Sequence, residues 1–289
     1  MVYLHIRRVI TIKFEPVIKW SGSKRSQSEN IIKNIPSSEY DTYYEPFCGG
    51  ASVMFQLINS DIKFNKYICS DKNSDLINLW NLIKDNPESI YTHYKKLWLE
   101  LSKDDNISRK RDFFNEIRNR LNLYHDPKDF MFIMRTTTNG LPRYNNSGEF
   151  NNSYHLSRNG INPESLLKIL DAWSSKLNDK DVIFMNQNYN EIKPSKNDLV
   201  YLDPPYANTK GMYFGGINQD TLLEWIDNLC CTVLMSYNGK TIKSDNTQDI
   251  KIFDKHIYLE SGNSSYSRLF SGESNNKVSE SLYFKFKLE

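Results

Sequence analysis

Residues 199–206 read Leu-Val-Tyr-Leu-Asp-Pro-Pro-Tyr, and no other stretch limits the fold of this chain so sharply. Leu199, Val200, Tyr201 and Leu202 favour a buried strand, while Pro204 and Pro205 forbid any continuation of ladder or helix. The strand must stop at Asp203 and pass into a rigid loop that presents Tyr206. In open α/β sheets ligands bind just beyond the carboxyl ends of strands, so a carboxylate placed there marks a candidate site. The same residues also suit a plain strand and Pro-rich turn with Tyr206 packed inside. The partners supplied by the rest of the chain decide between the two.

Those partners come from a soluble-type composition. Of 289 residues, 39% are hydrophobic and 25% charged, enough apolar material for a sizeable core in one large domain or two modest ones. Aromatic residues reach 13%, a surplus that suits packing and also stacking on flat rings. The net charge of +2 neither demands nor excludes nucleic acid, so a local basic face would have to serve. Cys48, Cys69, Cys230 and Cys231 lack the spacing of a zinc ribbon or redox dithiol, and read as buried reduced thiols in a cytosolic protein. No signal peptide or membrane span is expected, because Arg7, Arg8, Lys13 and Glu15 interrupt the apolar N-terminal patches.

Along the chain, residues 1–17 read as an extended arm. Lys19-Trp20-Ser21-Gly22-Ser23-Lys24-Arg25 is a compact mix of aromatic, flexible and basic residues, and Ser26 or Ser28 is placed to cap the helix that follows. Tyr43-Tyr44-Glu45-Pro46-Phe47-Cys48-Gly49-Gly50 runs from a strand into a Gly-rich turn, with an apolar helix starting near Ser52. A second strand, from Lys66, ends in Asp71 about 20 residues after the glycines, where nucleoside-binding units place a ribose acceptor. No P-loop lysine follows, which argues against nucleoside triphosphates. The next helix shows Leu76, Leu79, Trp80 and Ile83 on one face.

Between residues 85 and 176 the βα alternation stops. Helical periodicity continues through Tyr94, Leu97, Trp98 and Leu101, and then Thr138-Asn139-Gly140-Leu141-Pro142-Arg143-Tyr144 opens a turn-rich element followed by a polar loop or hairpin. Arg and Asn are the side chains best suited to guanine and adenine edges in a major groove. Alternation resumes with a buried strand at 182–186, with Asn188 and Tyr189 beyond it. A helix at 218–229, a strand at 232–236 and a late antiparallel strand near 281–288 follow. Residues 261–277, rich in Ser, Gly and Asn, read as a mobile segment.

The order of these features, a Lys-Trp loop, a Glu-Pro-Phe-Cys-Gly-Gly turn, an Asn-Gly-Leu-Pro-Arg insert and an Asp-Pro-Pro-Tyr strand end, closely resembles the Dam-like (D12 class) DNA adenine N6-methyltransferases. The likeness runs from about Val17 to Phe284. It implies an α/β, Rossmann-like seven-stranded methyltransferase sheet with helices on both faces. Residues 1–84 and 177–289 would form the catalytic half, and 85–176 an inserted, mainly helical target-recognition domain. It implies S-adenosylmethionine as methyl donor, contacted by Trp20, Lys24, Phe47, Gly49, Asp71, Asn188 and Asp203. Asp203, Pro204, Pro205 and Tyr206 would carry the chemistry on a flipped-out adenine, with no metal. Lys19, Asn139, Leu141 and Arg143 would meet double-stranded DNA, with GATC the leading target.

A monomer in the cytoplasm of a bacterial, phage or viral setting, within or outside a restriction-modification system, completes the expectation. Several positions depart from the family pattern. Ser23 and Ala51 stand where glycines are usual, Asn188 where aspartate is common, and Thr138 where an aromatic wedge is often found. The competing readings are an adenine methyltransferase with another DNA or RNA target, and a DNA-binding regulator without turnover. A nicotinamide-dependent oxidoreductase is weaker, since it leaves the Asp-Pro-Pro-Tyr end and the insert unexplained.

Overall fold

The computed structural model describes residues 15–205, 217–240, 245–261 and 278–287. Among the described residues there are seven strands: β1 (Thr42–Glu45), β2 (Lys66–Asp71), β3 (Ile183–Asn186), β4 (Leu199–Leu202), β5 (Thr232–Lys240), β6 (Lys255–Ser261) and β7 (Val278–Lys285). They form one sheet in the order β3-β2-β1-β4-β5-β7-β6. The β3 to β5 pairings are parallel, and β7 runs antiparallel to both β5 and β6. This is the mostly parallel Rossmann-like methyltransferase sheet that the resemblance implied.

Alternation along β4 builds two cores. Leu199 and Tyr201 join one buried cluster, while Val200 and Leu202 join a second on the opposite face. The first face carries α1 (Ser28–Lys33), α2 (Ser52–Ile58), α3 (Ser74–Asp85) and α7 (Pro163–Asp179). The second carries α8 (Gln219–Asp227), which buries Leu222 and Ile226. A strand covered on both sides reads as a continuous apolar run, which is why β4 was legible from its residues. Lys285 of β7 closes the end of α8: its buried ammonium donates to the carbonyls of Ile226, Asp227 and Leu229 at 2.9, 2.7 and 2.7 Å.

Three helices, α4 (Pro87–Leu101), α5 (Ile107–Tyr124) and α6 (Pro127–Thr136), lie between the β2–α3 unit and α7. Each begins with an Asn or Asp cap that accepts a backbone N–H of the first turn. Their core residues, including Phe114 and Phe130, belong to the same buried cluster as Val53 and Trp80. Several cations of this region are engaged internally. Arg109 pairs with Asp104 at 2.7 Å, Lys110 with Asp105 at 3.1 Å, and Arg120 with the buried Asp129. Arg135, at the end of α6, turns inward and donates Nε and Nη2 to the carbonyls of Val17 and Pro16. Burial holds its pKa down to about 10. Trp173 of α7 stacks on Phe55 with ring centroids 3.9 Å apart and donates its indole N–H to the Glu15 carbonyl at 2.9 Å.

Several expectations need correction. Neither Ser26 nor Ser28 caps α1: the N-cap is Gln27 without a side-chain bond, and Ser28 Oγ, already inside the helix, donates to the Arg25 carbonyl. The strand expected to be buried at 182–186 is β3, an edge strand with Ile183 and Met185 exposed, since no strand among the described residues pairs beyond it. Cys230 is exposed; the other three thiols are buried and all four are free. The β6 strand was not expected, because Lys255, His256, Glu260 and Ser261 break its apolar pattern. Most of the 1–17 arm, and residues 262–277, lie outside the described residues.

Candidate active site

The carboxyl ends of β1, β2 and β4 open onto one cavity of about 350 Å³. Its first wall is the Gly-rich turn after β1. Gly49 adopts φ 45° and Ala51 φ 50°. The alanine bears a left-handed conformation that costs an L-residue roughly 1–2 kcal/mol. Trp80 Nε1 donates to the Gly49 carbonyl at 2.9 Å and anchors the turn from below. A side chain on Gly49 would place its Cβ 2.7 Å from Trp20 Nε1, so the bare glycine lets the indole lie against the backbone.

Asp71 closes the second wall. Its Oδ2 accepts the Gly49 N–H at 3.2 Å and its Oδ1 the Asn73 N–H at 3.0 Å. Burial still pushes the carboxyl up to about 6 against these donors. Asn73 caps α3 through Leu76 N–H and donates its amide to Tyr144 Oη at 2.8 Å. Across the cavity, Phe47 stacks on Tyr189 with centroids 5.4 Å apart, and Tyr189 meets Trp225 edge-on at 5.1 Å. Asn188 uses its amide oxygen to accept the Tyr189 N–H at 3.0 Å, setting the turn that carries that ring.

Asp203 follows the last residue of β4, with Pro204 and Pro205 on the cavity rim. Lys24 Nζ stands 2.8 Å from Asp203 Oδ1 and 3.4 Å from Glu280 Oε2. Burial raises the Asp203 carboxyl to about 6; Lys24 opposes that shift and Glu280 adds to it. Deeper on the same floor, Glu45 is buried and accepts the Tyr43 hydroxyl proton at 2.6 Å. Burial pushes it up to about 8, so at neutral pH much of it is protonated.

The Lys-Trp loop and the Asn-Gly turn form a single unit. Gly140 (φ 61°) presses on Lys19: an added Cβ would sit 2.7 Å from both the Lys19 carbonyl oxygen and Cγ. Ser21 N–H donates to the Gly140 carbonyl at 2.9 Å. The segment from Tyr144 to Phe150 closes a hairpin, with Asn151 N–H bonded to the Arg143 carbonyl and Thr138 N–H to the Ser153 carbonyl, both at 2.9 Å. Asn139 and Arg143 are exposed on this element, Leu141 is half-buried, and Pro142 lines the cavity. Lys19 is half-buried, and its pKa is lowered by burial and by the nearby Arg158 and Arg135.

Thus Trp20, Lys24, Phe47, Gly49, Asp71, Asn188, Asp203, Pro204 and Pro205 line one cavity, while Lys19, Asn139, Leu141 and Arg143 gather beside it. Tyr206 lies outside the described residues. Of the departures, Ser23 has no positive φ and its hydroxyl donates to Ser52 Oγ at 3.1 Å, so it replaces a glycine without backbone strain. Ala51 does bear it. Thr138 turns inward, donating to the Ser153 and Tyr154 carbonyls. Sequence reasoning missed Glu280, which no motif flags. It also passed over Asn73, although a cap two residues beyond a site acid is a usable signal. No group of His, Cys, Asp and Glu among the described residues could hold a metal ion, and no described helix is long and apolar enough to cross a membrane.

A mostly parallel sheet with an acid at the end of β2, a Gly-rich turn after β1 and an Asp-Pro-Pro end on β4 defines a Rossmann-like methyltransferase scaffold. A family model for D12 class N6 adenine-specific DNA methyltransferases matches residues 20–269, and the chain belongs to that family. Among its relatives, the DNA adenine methylase of Vibrio cholerae is 30% identical over 196 residues, covering 66% of this chain and 64% of that protein. The type II methyltransferase M1.LlaDCHI of Lactococcus lactis is 30% identical, covering 68% of this chain and 66% of the relative. M.MjaIII of Methanocaldococcus jannaschii is 31% identical, covering 68% and 70%. The chain thus spans just under two thirds of the length of the first of these relatives.

Proposed function

We propose that this protein transfers a methyl group from S-adenosylmethionine to N6 of an adenine in double-stranded DNA. The observation that carries the reading is the position of Asp203, half-buried at the end of β4 and facing the same cavity as Asp71 and the Gly49 turn. The cavity's groups fit the donor. Asp71 offers carboxylate oxygens to vicinal ribose hydroxyls, the Phe47–Tyr189 pair offers ring faces to a purine, and Trp20 and Lys24 close the loop side. When bound, S-adenosylmethionine supplies an electrophilic methyl on a sulfonium.

Adenine N6 is a poor nucleophile because its lone pair is delocalised into the ring. The Asp203 carboxylate and the Pro204 carbonyl can each accept one of its N–H bonds, which draws the nitrogen toward tetrahedral geometry and frees the lone pair. Pro205 stiffens that loop, and fixed near-attack geometry supplies much of the rate. The reacting base must leave the duplex to reach the cavity; by family resemblance Tyr206 stacks on it. Residues 85–176 serve as the target-recognition insert, with Asn139, Leu141 and Arg143 on its hairpin and Lys19 beside them reading or steadying the site. GATC is the leading target.

Long-read methylation mapping of DNA from cells expressing the protein tests this directly. The expected result is a defined N6-methyladenine motif that disappears with Asp203→Ala. Expression of the intact chain without any new N6-methyladenine would refute the reading.

A further inference from the structure

Lys24 is one of the few lysines whose side chain is almost wholly buried, at 7% exposure, and it sits between two carboxylates. One is Asp203, the group proposed to accept the target amine. The other, Glu280, comes from the far end of the chain, on the strand that runs between β5 and β6. In β7 it lies opposite Leu259 of β6, and its neighbour Ser281 pairs with Tyr237 of β5. This placement brings its carboxylate to 3.4 Å from the ammonium.

An ammonium has three donors and no directional preference. Facing Asp203 alone, Lys24 would settle over both carboxylate oxygens and occupy the acceptor that an incoming N–H requires. Here it meets Oδ1 at 2.8 Å, with Glu280 Oε2 and the Gly22 carbonyl each at 3.4 Å on its other sides. We propose that Glu280 is a positioning residue, which draws the Lys24 ammonium aside so that Asp203 keeps acceptor capacity for the exocyclic amine of the target base. The purpose of this arrangement rests on the methyl-transfer reading; the three-residue geometry does not.

The electrostatics point the same way. Glu280 raises the Asp203 carboxyl and Lys24 lowers it. Among the described residues, the other ionisable groups facing Asp203 are Tyr201 on its own strand and Glu45 on β1. Removing the Glu280 charge takes away a repulsion that raises Asp203 while burial and Lys24 stay, so Asp203 should titrate at lower pH.

The test uses Glu280→Gln and Glu280→Asp in the full chain. Carbon-detected NMR follows the Asp203 carboxyl in protein without added ligand, its signal assigned by its loss in Asp203→Asn. The Asp203 midpoint is expected to fall by about half a pH unit or more in Glu280→Gln and to stay near the wild-type value in Glu280→Asp. Single-turnover methylation at saturating cofactor and DNA should slow about tenfold or more in Glu280→Gln, with cofactor affinity within about twofold, and should recover in Glu280→Asp. An unmoved midpoint in Glu280→Gln overturns the proposal, as does a rate loss matched by an equal loss of cofactor affinity. Wild-type protein that leaves adenine unmethylated counts against the methyl-transfer reading, and the titration still decides whether Glu280 acts on Asp203.

Discussion

Gly140→Ala should weaken cofactor binding, although Gly140 belongs to the hairpin beside the cavity. The added Cβ would lie 2.7 Å from the Lys19 carbonyl oxygen and 3.0 Å from its carbonyl carbon, so a rotamer change cannot relieve it. The backbone must separate instead, which breaks the 2.9 Å bond from Ser21 N–H to the Gly140 carbonyl. Holding alanine at φ 61° adds about 1–2 kcal/mol, and the lost bond about 0.5–1.5 kcal/mol. The stiffer unfolded chain returns about 0.4–1 kcal/mol. The balance is about 2 kcal/mol against the docked arrangement, or about 30-fold in any equilibrium that needs Trp20 in place. Isothermal titration with S-adenosylmethionine would read that loss, and a panel of altered duplexes would read blurred target discrimination alongside it. Asn139→Gly, which suits the φ of 58° found there, should alter discrimination while leaving cofactor affinity intact. A folded Gly140→Ala protein binding cofactor within about twofold of wild type would refute the claim that hairpin and cofactor loop act as one unit.

Three further outcomes are expected. Arg143→Ala should keep cofactor binding but lose about 1–3 kcal/mol of base discrimination, and unchanged preference on substituted sites would exclude Arg143 from direct readout. The single-turnover rate should fall as pH drops through about 6, where the Asp203 carboxyl gains its proton. Because that folded-state pKa lies above the unfolded one, Asp203 contributes stability at low pH that is lost as pH rises through about 6. The melting temperature of Asp203→Asn should therefore gain on wild type between pH 5 and 8; a constant offset would contradict the raised pKa. Lys285→Met should cost about 3 kcal/mol in urea unfolding by stranding the carbonyls at the end of α8. A stability within about 0.5 kcal/mol of wild type would show that the cap is dispensable.

Much of the sheet was readable because its central strands carry both period and punctuation. Leu199–Leu202 is apolar throughout and stopped by prolines, and Lys66–Asp71 ends on the acid that faces the cavity. Edge strands offered less. The exposed face of β3 and the polar interruptions of β6 reflect neighbours that no local pattern encodes. The site followed the same division. Asp71, Gly49 and Asp203 stand at element ends that residue type alone can locate. Glu280 reaches Asp203 through Lys24 across the sheet, and its place depends on β7 inserting between β5 and β6. Ser28 misled for a local reason: its hydroxyl suits a cap, but the chain enters α1 one residue earlier.

The grip of Arg135 and Trp173 on residues 15–17 sets a limit for anyone shortening this protein. Trimming to the first recognisable motif, at Lys19 and Trp20, would remove the carbonyls of Glu15, Pro16 and Val17. A guanidinium and an indole N–H would then be left in the interior without these acceptors, each at a cost of about 1–3 kcal/mol or more. Such a fragment would keep every residue proposed to touch DNA or cofactor and still be expected to express poorly. Deletion boundaries must therefore fall ahead of Glu15, a position marked by the backbone oxygen it lends to a helix far along the chain.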